Sequence, residues 1–83
     1  MQFIDILRMK SMDSLIQVQE LWTTNGKTHT KRTGIFKVGN LKWDKLRHFE
    51  YKNVTMICPC FNGKQTYLFI QVDDKEKGFY NRG

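Results

Sequence analysis

Apolar residues gather on either side of two Asn-Gly pairs. Residues 15–22 read LIQVQELW, and beyond Asn25 and Gly26 the chain runs KTHTKRT over 27–33, then through Gly34 to Ile35, Phe36, Lys37 and Val38. Residues 54–58 (VTMIC) and 66–72 (TYLFIQV) bracket Asn62 and Gly63 in the same way. Type I′ turns require positive φ at both central residues, and Asn-Gly adopts it at least cost. The pattern predicts two hairpins.

Residues 11–22 carry two periodicities. Ser11 or Asp13 is placed to cap a helix in which Leu15, Val18, Leu21 and Trp22 recur near every 3.6 residues. The same stretch alternates as a strand, with Ile16, Val18 and Trp22 on one face and Gln17 and Gln19 on the other. The Asn-Gly pair at its end selects the strand. Residues 2–9 form another candidate strand. Asn40 is placed to cap a short helix over about 40–51, with Trp43, Leu46 and Phe49 on one side. Phe49 and Tyr51 alternate with charged residues, which leaves a strand alternative there. Residues 73–77 read as a solvated turn and 78–83 as a C-terminal tail, so residues 1–77 form one domain.

The expected order is strand, strand, strand, helix, strand, strand. It describes an α+β, β-rich fold: a small antiparallel sheet, or a five-stranded OB-like barrel, which also places a helix between its third and fourth strands. That match is one of topology, and topology does not fix function.

Length and composition agree with one small domain. The chain has 83 residues, 40% of them hydrophobic and 27% charged, enough for a thin core and too apolar for a disordered tail. Alanine is absent, so the best helix former is missing and Thr, Ile, Val and aromatics favour strands. A lack of alanine beside abundant Lys, Asn, Ile and Phe also points to AT-rich coding, as in many phages and mobile elements. Asp5 and Arg8 interrupt the apolar start, which argues against a signal peptide. No stretch nears the length of a membrane span. Cys58 and Cys60 cannot build a disulfide framework, and the expected location is a reducing cytoplasm, the host's if the protein is viral.

The formal net charge is +6, and its distribution is uneven. Lys27, Lys31, Arg32, Lys37, Lys42, Lys45, Arg47 and Lys52 face only Asp44 and Glu50 within residues 27–52, so the whole excess lies in the middle third. A concentrated cationic patch is what a polyanion-binding surface requires. From 37 to 52 the cations interleave with aromatics. Single-stranded nucleic acid is held by cations on phosphates and rings beneath bases. The expected nucleic-acid contacts are therefore Lys27, Lys31, Arg32, Lys37, Lys42, Lys45, Arg47 and Lys52, with Trp43 and Tyr51 stacking and His48 secondary. The bland reading of the aromatics makes Trp43, Leu46 and Phe49 the buried helix face.

A second function class fits the same features. A small protein without a catalytic constellation, basic and with an exposed strand edge, suits a phage- or plasmid-encoded factor that binds an acidic surface of a host protein. An obligate homodimer is compatible with both readings. Chemistry finds less support. His29, His48, Cys58 and Cys60 raise zinc, but one residue between the cysteines is too few for the usual knuckle. Small buried strand residues are the better reading of Cys58 and Cys60. Pro59 between them implies an edge strand or a bulge. His48 with Glu50, and His29 as a second imidazole, could serve acid–base work, yet nothing arranges a nucleophile, base and orienting group. No phosphate-loop fingerprint occurs. Neither an enzyme nor a cofactor is expected.

Overall fold

The computed structural model describes residues 1–73. Its elements are helix α1 (Phe3–Met9), strands β1 (Leu15–Thr24), β2 (Lys27–Arg32) and β3 (Phe36–Lys37), a 3-10 turn at Val38–Asn40, helix α2 (Trp43–Phe49), and strands β4 (Asn53–Phe61) and β5 (Thr66–Asp73). The five strands form one open, mostly antiparallel sheet in the order β2-β1-β5-β4, with β3 paired to the beginning of β1. The exception to antiparallel pairing is at the centre, where β1 and β5 run parallel with Ile16 opposite Leu68 and Val18 opposite Ile70.

Alternation along these strands sorts the side chains into two layers. Ile16 and Val18 of β1 and Ile70 and Val72 of β5 are buried against Phe3 and Ile6 of α1, Phe49 of α2 and Val38. Both helices therefore cover one face of the sheet. The rings of Phe3 and Phe49 lie 5.6 Å apart and tilted by 57°, within the range that aromatic quadrupoles favour. The helices also satisfy each other. The amides of Phe3 and Ile4 donate to the carbonyls of Lys52 and Glu50 at 3.0 and 2.9 Å, so the open donors of α1 meet carbonyls just beyond α2.

Two expectations about the helices need correction. Residues 2–9 form no long strand; Phe3–Met9 is helical. A strand would have put a charge on each face, Asp5 beside Phe3 and Leu7, Arg8 beside Ile4 and Ile6. A helix groups Phe3, Ile6 and Leu7 at i, i+3 and i+4 and sends Arg8 outward. The second helix begins later than about 40, with Lys42 rather than Asn40 at its N-cap position and no side-chain cap, because residues 38–40 are spent on the 3-10 turn. Gly39 sits there in close contact: a Cβ would lie 3.1 Å from the Met12 carbonyl, which accepts the Gly39 amide at 2.8 Å.

The sheet does not close into an OB-like barrel. Its edge strands β2 and β4 stay unpaired with each other, and the parallel β1–β5 pair separates the two hairpins. The turns also differ. Thr24 pairs with Lys27, so Asn25 and Gly26, at φ 53° and 80°, make the whole connection. At the other end Phe61 pairs with Thr66, leaving a four-residue loop. There Asn62 Oδ1 accepts the amides of Lys64 and Gln65, both at 3.0 Å, and only Gly63 takes positive φ. An Asn side chain that caps two amides is an alternative use of the same dipeptide. Among the described residues no helix is long and apolar enough to cross a membrane. The expected tail at 78–83 lies outside the described residues, as does most of the charged turn.

Candidate nucleic-acid interface

The Asn25-Gly26 turn fixes the register of the first hairpin, and the register decides which way each cation points. Trp22 faces His29, Glu20 faces Lys31 and Thr24 faces Lys27. These pairs lie on the helix side, in line with Ile16 and Val18. Trp22 and His29 stack with centroids 5.4 Å apart and planes 26° from parallel. Arg32 belongs to the other layer. It lies opposite Gln19, donates to the Gln19 Oε1 at 3.4 Å and places its guanidinium 5.2 Å from the centre of the Phe69 ring. Lys37, opposite Leu15, is on that open face as well.

Helix α2 supplies the second group. Phe49 is buried and Leu46 half-buried, which leaves Lys42, Trp43, Lys45, Arg47 and His48 exposed. Trp43 is 69% exposed, so it is not part of the buried helix face. Arg47 sits one turn along with its guanidinium 5.9 Å from the Trp43 ring centre. The cation and the ring thus form one exposed unit. Tyr51, 64% exposed, follows the helix.

Glu20 joins the two groups. Its carboxylate lies 2.7 Å from His48 Nε2 and 3.8 Å from Lys52 Nζ, and Lys31 is its cross-strand neighbour. It is also the last acidic residue before Asp44. His48 and Lys52 are therefore engaged by a carboxylate and offer less to a ligand than their neighbours. Lys27, Lys31, Lys42, Lys45 and Arg47 form no ion pair among the described residues.

The expected contact residues thus separate by face. Lys27, Lys31, Lys42, Trp43, Lys45 and Arg47 lie on the strands' helix side or on α2, with His48 and Lys52 beside them; Arg32 and Lys37 lie on the open face. A patch read along the chain as continuous is split because neighbouring strand residues point to opposite sides. Trp22 and the Trp22–His29 stack were not among the expected contacts. The register carried the signal: the numbers of facing residues around Asn25-Gly26 share one sum, and 22 with 29 satisfies it.

The residues weighed for chemistry are dispersed. His29 is on β2 against Trp22, and His48 is paired with Glu20 rather than with Glu50. Cys58 and Cys60 are free thiols on β4. They are not buried: Cys58 is exposed and Cys60 half-buried, because both point to the open face at the sheet's edge, opposite Phe69 and Tyr67. A hydrogen bond with Cys60, then its charge, and lastly slight burial raise the Cys58 pKa. Among the described residues no group of three or more His, Cys, Asp or Glu side chains is arranged to hold a metal ion. Comparison with family models, curated proteins and solved structures gave no match.

Proposed function

We propose that this protein binds nucleic acid, single-stranded DNA or RNA in preference to duplex, through the cationic surface of β2 and α2. The observation that carries the reading is the company kept by the exposed cations. Lys42, Lys45 and Arg47 are exposed on, or just before, one short helix that also exposes an indole, and the Arg47 guanidinium lies over that ring. Lys27 and Lys31 flank the Trp22–His29 stack on the adjoining strand. Phosphates bind cations and bases bind rings, and a strand with unpaired bases uses both. Duplex DNA hides its rings and would use the cations alone.

We infer a cytoplasmic placement and an origin in a phage or other mobile element. The alanine-free composition and the two free thiols support that placement. The alternative is an acidic host protein held by the same cations, with electrostatic steering as their main service. The exposed aromatics favour nucleic acid, since steering does not need them.

The test is fluorescence polarisation of labelled single-stranded DNA, RNA and duplex at two salt concentrations, with tryptophan emission followed in parallel. Salt-sensitive binding of a single strand with quenched emission is the expected result. Absence of binding at low salt overturns the proposal and moves the patch to a protein partner.

A further inference from the structure

We infer that the sheet face turned away from the helices is a second contact for the same ligand, taking unpaired bases onto Tyr67 and Phe69. This rests on the reading that the protein binds nucleic acid, and it names where the bases go. Both rings stand on β5, one of the two central strands, and both point to the face that neither helix covers. Two residues apart on one strand face, they are spaced by about 6.6 Å, a stride suited to successive bases that have come apart from each other.

The surroundings of the rings are chemically suited to bases. Gln17 and Gln19 lie beside them on β1 and Gln71 follows on β5. A planar amide both donates and accepts, as a base edge does. Gln17 already donates to the Thr33 carbonyl at 2.9 Å, which holds its side chain in place. Arg32 covers the Phe69 ring in the free chain. A base that displaces it gains the ring and frees the guanidinium for a phosphate.

Charge selects the occupant. Cations stand at the margins of this face: Arg32 and Lys37 beside β1, and Lys10 and Lys64 at an open groove of about 720 Å³ where Phe61 and Tyr67 meet the start of β1. Acidic side chains are fewer on the described face: Asp13 lines the same groove as Lys10 and Lys64, and Asp73 stands at the far end of β5. Rings and amides in the middle with cations outside match a strand whose bases turn inward and whose phosphates stay at the rim. A second copy of the chain would set the same cations against each other.

Photocrosslinking of an oligonucleotide carrying 5-iodouracil, mapped by mass spectrometry on the unaltered protein, reads the contact directly. Crosslinks at Tyr67 or Phe69 are expected. Tyr67→Leu and Phe69→Leu should each weaken binding by roughly 5- to 150-fold with the salt slope unchanged. Binding that persists with crosslinks confined to Trp22 or Trp43, and with the leucine variants unaffected, overturns this site and leaves the proposed function standing. Failure of every oligonucleotide to bind overturns both. Sedimentation at the mass of a dimer that Phe69→Leu abolishes would assign the face to a second copy, and also overturns the site.

Discussion

The salt dependence of binding can be worked out from the placement of the cations. Lys27, Lys31, Lys42, Lys45 and Arg47 are exposed and without ion pairs among the described residues. Each phosphate neutralised on a single strand contributes about 0.7 to the slope of log affinity against log salt, so five give a slope near −3.5. Replacing Lys42, Lys45 and Arg47 together by Gln leaves two, and a slope of about −1.4. Between 50 and 200 mM salt the native protein then loses roughly 130-fold in affinity and the variant only about 7-fold. If Arg32 and Lys37 also reach phosphates, both slopes steepen equally and their difference, about 2.1, survives. Polarisation titrations at four salt concentrations measure it. The three side chains are remote from the buried core, and the Arg47–Trp43 contact is worth about 0.5–1 kcal/mol at an exposed site. The variant should therefore stay folded, which its thermal melt checks. Equal slopes in a folded variant would refute the assignment of α2 to the phosphates.

Other consequences concern the frame that holds the cations in place. Phe49→Ala removes the ring that seats α2 on the sheet and should cost about 3–5 kcal/mol, a large part of the roughly 4–12 kcal/mol expected for this length; urea titration should show the midpoint collapsing. Gly26→Ala forces an L side chain into positive φ with open space around it, so the loss should be limited to about 1–2 kcal/mol of backbone strain, again read by urea. Because the Cys58 pKa is raised, less thiolate is present at neutral pH and iodoacetamide should react slowly there and faster as pH rises. Cys60→Ala removes both main causes of the shift and should speed the neutral reaction; an unchanged rate would show that the two thiols do not communicate.

What the sequence made legible follows from how local each signal is. The first hairpin depends on two residues with a single preferred geometry, and its strands occur where that geometry puts them. Helix α1 was misread because a run such as FIDIL is apolar enough for either element. The deciding fact is the set of partners, Phe49 and the central strands, which lie far away in sequence. The barrel failed for a related reason. Whether β1 meets β5 in parallel depends on the path of the chain between them, and no local motif records that path. Among the candidate contacts, exposure of every lysine except the half-buried Lys52 followed from their chemistry. The side of the sheet did not, since a slip of one residue in register would exchange the faces of Lys31 and Arg32. The role of Glu20 was equally hidden, because His48 is 28 residues away.

The two edges of the sheet bear on the choice between partners. A protein that recruits its target by adding a strand needs an edge with regular donors and acceptors. On β4 the hydrogen bond from the Asn62 amide to the Gln65 carbonyl sets the alternation, so Cys60 and Cys58 bond inward and Pro59 turns its missing donor outward. The register shift between Val54 and Met56 disrupts the same strand. On β2 the edge carries Lys27, Lys31 and Arg32, and every residue of the strand is exposed. Proline, a bulge and lysines are the means by which sheets discourage edge-to-edge pairing. A homodimer built by joining edges meets the same obstacles, and on β2 it would also bring like charges together. Recognition is thereby directed to the faces, where one side offers cations with an exposed indole and the other offers rings with amides. Both surfaces complement the chemistry of the proposed nucleic-acid strand, and neither needs a partner to supply a β-strand.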